Sequence, residues 1–226
     1  MLVVIFSYNR EEMLLSLLDE LTDEDNPIET LIIDDGSEWS NRHSIHFRKM
    51  CSIIRTNHEG KQGFWKKWVM ARQIALGSEH DYFLMIPDDI SKLNLEAIKA
   101  ITKQGWDDAV FAVNVINCGR TECWGHFNTA QMPIEVEGIR LDEVGFVDCG
   151  ILTNRHTLMH IDIHEVGAEW FDRPDKSSGV GFQMTNSLRA LGAVMMMPTP
   201  GLCYHGDHES QMHGEHRVKT PLTSKQ

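Results

Sequence analysis

The first ten residues, Met1-Leu2-Val3-Val4-Ile5-Phe6-Ser7-Tyr8-Asn9-Arg10 (MLVVIFSYNR), decide how the chain is read. Residues 1–6 form an unbroken apolar run that is too short for a helix. Such a run fits a strand buried on both faces, as in a parallel sheet. Ser7–Arg10 then break it. In Glu11–Leu21 the apolar residues fall at Met13, Leu14, Leu17, Leu18 and Leu21, a helical stripe. The same pattern repeats downstream. Thr30–Ile33 and Ser52–Ile54 read as strands, Gly63–Leu76 as a helix, Tyr82–Ile86 as a strand, Leu93–Ile101 as a helix and Ala109–Ile116 as a strand. Strands alternating with helices imply right-handed crossovers and a doubly wound α/β sheet. In such a sheet ligands gather outside the carboxyl ends of the strands. The polar breaks Ser7–Asn9, Asp34-Asp35-Gly36-Ser37 and Pro87-Asp88-Asp89 all follow strands, so the fold is expected to bring them to one edge.

The second half is less regular. Glu135–Asp148 reads as β structure turning at Glu137-Gly138, and Thr153–Ile161 as a helix. Ser177–Gly181 reads as a loop opening a helix to about Leu191, and Ala193–Met197 as a strand. There are no repeats, low-complexity tracts or linkers, so the whole of 1–226 is expected to form one domain.

Bulk properties narrow the classes. An apolar share of 42% supports a core. No stretch approaches the roughly 20 apolar residues of a membrane span, and no signal-peptide pattern opens the chain, so a cytoplasmic protein is expected. Five cysteines (51, 118, 123, 149 and 203) without C-x-x-C spacing fit reduced thiols better than a disulfide frame or a thiolate zinc site. A formal charge of −12 argues against a broad nucleic-acid surface.

Four segments in this order, VVIFSYNR, IIDDGS, HEGKQGFWKKWVMARQIAL and MIPDDI, resemble the nucleotide-sugar half of family 2 type glycosyltransferases with the GT-A fold. The resemblance covers roughly the first 115 residues. It implies a Rossmann-like, mostly parallel central sheet flanked by helices, with a smaller acceptor-side β region. Residues 1–115 would bind the donor, 116–204 would face the acceptor, and 205–226 would form a histidine-rich tail. It further implies transfer of a sugar from a nucleoside diphosphate donor, most simply a UDP-sugar, with Mn²⁺ or Mg²⁺ as cofactor. The acceptor would be a hydroxyl on a glycan, on a lipid-linked sugar or on a hydroxymethylated base in viral DNA.

Each motif has matching chemistry. Backbone groups around Phe6, Ser7, Tyr8, Asn9 and Arg10 can meet a base edge, and Asp34 or Asp35 can accept from a base N–H or a ribose. Gly60 and Gly63 at a helix start allow close approach of phosphates, where the helix dipole favours anions. Lys61, Lys66 and Lys67 add positive charge. Asp88 and Asp89 suit a divalent cation beside the diphosphate. By resemblance Asp89 is the direct ligand, and Asp88 lies nearer the ribose or a metal-bound water. Structural roles compete with these: Asp34–Ser37 as a turn, the Asp pair as a helix cap, the lysines as a solvated helix face.

The acceptor side departs from the family pattern. An acidic pair is expected at the start of a late helix, but Gly179-Val180-Gly181 stands there. Asp175, with Asp172 and Asp148 behind it, is the substitute candidate for a base, and a retaining mechanism stays open. Trp124, His126 and Trp170 are candidate acceptor walls, or core anchors.

The tail CYHGDHESQMHGEHR completes the reading. By resemblance to an H-x-G-x-x-S segment of GT-A enzymes, His205 is the expected metal ligand with His208 second, and Ser210 and Arg217 can reach phosphates. His213 and His216 read as exposed or as part of a closing flap. Two other functions compete. One is a nucleotidyltransferase of similar sheet, disfavoured because no Gly-rich loop follows the first strand. The other is a non-enzymatic metal- or nucleotide-binding module using the histidine tail.

Overall fold

The computed structural model describes residues 1–22, 28–40, 47, 50–104, 106, 109–116, 133–148, 150–172 and 178–205, with His205 described by its backbone. Eleven strands are defined among them: β1 Leu2–Ser7, β2 Thr30–Asp34, β3 Ser52–Arg55, β4 Tyr82–Pro87, β5 Ile90–Ser91, β6 Phe111–Asn114, β7 Ile134–Val136, β8 Ile139–Glu143, β9 Ile151–Asn154, β10 Val194–Thr199 and β11 Tyr204–His205. The helices are α1 Glu11–Leu21, α2 Gly60–Gly77, α3 Leu95–Thr102, α4 Arg155–His160, α5 Ala168–Phe171 and α6 Val180–Ala190.

Nine strands make one sheet in the order β3-β2-β1-β4-β9-β6-β10-β8-β7. Its first four strands are mutually parallel. The alternation of side chains along β1 explains the two helical layers. Val3 and Ile5 face one side, where Leu14, Leu17, Leu18 and Leu21 of α1 and Ala97, Ile98 and Ile101 of α3 cover them. Leu2 and Val4 face the other, under Phe64, Trp68, Ala71 and Ala75 of α2 and Val180, Met184 and Leu188 of α6. Strands buried on both faces read as continuous apolar runs, which is why β1, β2 and β4 stand out in the sequence.

The second half departs from the parallel rule. β9 runs antiparallel between β4 and β6, β8 runs antiparallel to β10, and β7 and β8 form a hairpin. The expected helix over 153–161 is a strand followed by a shorter helix. Ile151–Asn154 are all buried in β9, and the Asn154 side chain then accepts from the Thr157 N–H at 2.9 Å, so α4 starts only after it. Helix α2 begins at Gly60, three residues before the expected Gly63. Among the described residues no helix is long and apolar enough to cross a membrane.

A second, two-stranded sheet matters most for function. β11 pairs antiparallel with β5, with His205 opposite Ile90 and Tyr204 opposite Ser91. The C-terminal segment therefore returns to the residue that follows Asp89.

Candidate active site

The parallel register brings the three polar breaks together. Ser7 pairs with Asp34 and Phe6 with Pro87. The ladder continues past the strand ends: the Asp35 N–H donates to the Ser7 carbonyl at 2.9 Å, and the Asp88 N–H to the Phe6 carbonyl at 3.1 Å. Asn9 stitches the first break to the second. Its N–H donates to Ser37 Oγ at 2.8 Å, and its Oδ1 accepts from the Glu38 N–H at 2.9 Å. Asn9 has φ +51°, a left-handed conformation that Asn tolerates better than most residues.

The acid pair lies at the centre of this edge. Asp88 is 2% exposed and accepts from Ser7 Oγ (2.8 Å), the Tyr8 N–H (3.1 Å) and Arg10 Nη1 (3.0 Å). The same Arg10 nitrogen lies 2.7 Å from Asp89 Oδ2. One guanidinium thus bridges two buried carboxylates. Burial pushes the Asp88 carboxyl up to about 6 against the pull of Arg10, with the neighbouring Asp89 charge adding to the rise.

The two residues of Asp34-Asp35 diverge. Asp34 is fully buried and turned into the protein, where the Ser37 N–H and hydroxyl and Arg55 Nε (3.0 Å) engage its carboxylate. Burial raises its pKa against those partners. It anchors the loop and is not presented to a ligand. Asp35 faces α2 and accepts from the Glu59 and Gly60 N–H groups, both at 3.0 Å, as a carboxylate cap at a helix N-terminus. Lys67 Nζ, 3% exposed at its side chain, lies 2.7 Å from Asp35 Oδ1, and His58 Nδ1 lies 3.1 Å from Oδ2. A Cβ on Gly63 would collide with the Glu59 side chain, so its smallness makes room within the helix start. Lys61 reaches over the Phe171 ring at 5.9 Å, and Lys66 pairs with Glu59 at 2.5 Å.

His58 carries no role in the sequence reading. In the structure it stacks on Tyr8 with ring centroids 4.1 Å apart and planes 10° from parallel. A flat aromatic pair thus stands beside Asp35 and Lys67. The only signal in the sequence is its place two residues before Gly60.

Of the base candidates, Asp172 is exposed at the end of α5. Asp148 lies against the start of α6 and lines a small pocket with Phe6, Phe64, Met85, Gly150 and Val180. Asp175 lies outside the described residues, as do Trp124, His126, His208, Ser210, His213, His216 and Arg217. Trp170 is half-buried beside α6.

The donor set fits a hard divalent cation. It offers buried carboxylate oxygen from Asp88 and Asp89, and a backbone ladder brings position 205 next to them. The bridging Arg10 shows that the pocket between these acids already accommodates positive charge. Among the described residues no three His, Cys, Asp or Glu side chains converge as a preformed metal cage.

No protein-family model and no curated protein matches the sequence. Solved structures do match. A galactosyltransferase, LgtC, in complex with donor and acceptor sugar analogs is similar over 86% of this chain and 73% of its own, at TM-score 0.52 and 16% identity. Glucosyl-3-phosphoglycerate synthase from Mycobacterium tuberculosis, in complex with Mn²⁺ and UDP-glucose, is similar over 92% and 71%, at 0.54 and 13%. TarS from S. aureus is similar over 87% of this chain but only 34% of its own, at 0.53 and 16%. At these identities the likeness concerns architecture, and it agrees with the sheet order and helical layers described above: the chain has the GT-A fold.

Proposed function

We propose that the chain is a metal-dependent glycosyltransferase that moves a sugar from a nucleoside diphosphate donor, a UDP-sugar, to a hydroxyl acceptor. The observation that carries this reading is the pairing of β11 with β5, which sets the His205 backbone opposite Ile90, the residue that follows Asp89. In this reading residues 1–226 act as one domain. The first 115 hold the donor, 116–204 face the acceptor, and 205–226 form the histidine-rich tail. Tyr8, His58, Asp35 and Lys67 receive the base and ribose. Ser7 and Arg10 orient Asp88 beside the ribose. Asp89 and His205, with His208 second, hold Mn²⁺ or Mg²⁺, which when bound neutralises the diphosphate leaving group. Ser210 and Arg217 reach the phosphates. The synthase of similar fold that binds Mn²⁺ and UDP-glucose supports the choice of cofactor and donor.

The test is calorimetric titration of UDP with and without Mn²⁺, followed by a panel of nucleotide sugars scored for slow hydrolysis. Binding is expected only with Mn²⁺. It should be lost in Asp89→Ala, weakened in His205→Ala and unchanged in His216→Ala. Tight Zn²⁺ binding indifferent to Asp89→Ala, with no UDP binding, would instead identify a metal-binding module.

A further inference from the structure

Helix α4, Arg155–His160, carries His156 and His160, and neither belongs to the candidate active site. Their spacing, i and i+4, puts both on one face of the helix, one turn apart. The two rings meet there, with centroids 5.2 Å apart and planes inclined at 67°. A divalent metal about 2.1 Å from one nitrogen of each ring, at a tetrahedral angle, holds two such centroids about 5 Å apart. The rings therefore already stand at chelating separation. The terminal torsion of histidine is broad, so a small turn of each ring brings one nitrogen from each onto a shared point.

The backbone beneath the pair is fixed before any ligand arrives. At the start of α4 the Asn154 side chain accepts from the Thr157 N–H at 2.9 Å. In the last turn Arg72 of α2 donates to the carbonyls of Leu158, at 2.8 Å, and Met159. Arg155 donates in return to the carbonyls of Leu76, Ser78 and His80 around the end of α2. Thr157 and Leu158 are fully buried, so the helix is held through its core face as well. A helix of six residues would fray in isolation. Capped at one end, bonded at the other and anchored between, this one presents two imidazoles as a unit. His156 is half-buried and His160 exposed, so a hydrated ion can reach them from solvent. The formal charge of −12 raises the concentration of cations at the surface.

We propose that His156 and His160 form a second metal site, separate from the acid pair, that takes a borderline divalent transition metal: Zn²⁺, Ni²⁺ or Cu²⁺. Two imidazole nitrogens fill two coordination positions, and water fills the rest. Donor chemistry distinguishes this site from the one at Asp88 and Asp89. Carboxylate oxygen suits Mg²⁺ and Mn²⁺, whereas imidazole suits Zn²⁺, Ni²⁺ and Cu²⁺, with Cu²⁺ the tightest of the series. The bound metal bridges one turn of α4 and so favours the folded helix over the unfolded chain. The site is independent of the glycosyltransferase reading above.

The experiment measures Ni²⁺ binding to the full chain by equilibrium dialysis, with Mg²⁺ in excess to occupy oxygen sites. The tail histidines can also take Ni²⁺, so every variant is compared with the wild type. The wild type should hold one more equivalent than His156→Gln or His160→Gln. Each single change should weaken that equivalent about a hundredfold, because two ligands on one scaffold act together. The double variant should be no worse than either single one. His164→Gln, exposed in the segment after α4, should bind as the wild type does. In the wild type, titrated Cu²⁺ should broaden the ring-proton NMR signals of His156 and His160 at the same concentration, a readout that does not depend on how any variant folds. An unchanged Ni²⁺ stoichiometry in either variant, an equal loss in His164→Gln, or broadening of only one of the two rings would overturn the proposal.

Discussion

At the residue scale the buried acid pair sets a pH dependence whose sign can be worked out. The Asp88 carboxyl is pushed from an ordinary 3.8 to about 6, chiefly by burial. Between those values the folded chain keeps a proton that the unfolded chain releases. The unfolded state then binds fewer protons, so stability falls as pH rises from about 4 through about 6 and levels off above. A shift of about two units corresponds to about 3 kcal/mol at most. Asp34 is shifted in the same direction by burial, so the wild type will carry more than one such contribution. The difference between wild type and Asp88→Asn isolates the first. Urea unfolding of the metal-free protein, with chelator present, should show a downward slope between pH 4.5 and 6.5 that is clearly shallower in Asp88→Asn. An unchanged slope would mean that Arg10 and Ser7 offset the desolvation of Asp88 more fully than the geometry suggests.

At the element scale the start of α6 offers a direct contest between two effects. Alanine is favoured over glycine in a helix by up to about 1 kcal/mol, less in a first turn. A Cβ on Gly181 also meets the Asp148 side chain and approaches its Cα to 3.2 Å, and overpacking of this kind costs about 1–3 kcal/mol. The clash should win, because part of it is against backbone that cannot rotate away. Gly181→Ala is therefore expected to lower the urea midpoint. A rise would show that Asp148 moves aside freely and is not lodged against the helix. Elements of this kind also mark how far the sequence could be read. Strands β1, β2 and β4 declare themselves as apolar runs because both faces are covered. Strand β9 was hidden because its last residue, Asn154, also caps α4, so two short elements read as one helix. Strands β5 and β11 have two residues each, too few for any period, and only their pairing gives them meaning. The sequence named Asp34 and Asp35 together; which one turns inward depends on Ser37, Arg55 and Lys67, and those partners meet only in the fold.

At the scale of the whole molecule the question is which large acceptors the charge distribution permits. The formal charge is −12, and several cations near the candidate site are engaged by the chain's own carboxylates. Arg10 bridges Asp88 and Asp89, Lys67 serves Asp35, and Arg55 serves Asp34. Arg155 donates to the carbonyls of Leu76, Ser78 and His80, tying α4 to the end of α2. Duplex DNA needs a stripe of free cations whose release of counterions drives binding, and each neutralised phosphate steepens the salt dependence. These four cations cannot supply it without giving up internal contacts; the pairs of Arg10 and Lys67 are nearly buried, and breaking such a pair costs about 3–5 kcal/mol. A hydroxymethylated duplex titrated at 150 mM salt should therefore show no binding by fluorescence anisotropy, with or without UDP and Mn²⁺. Micromolar binding that weakens steeply with salt would require a cationic surface elsewhere on the chain and would return DNA to the set of acceptors. The expected null result leaves acceptors whose binding needs no stripe of free cations.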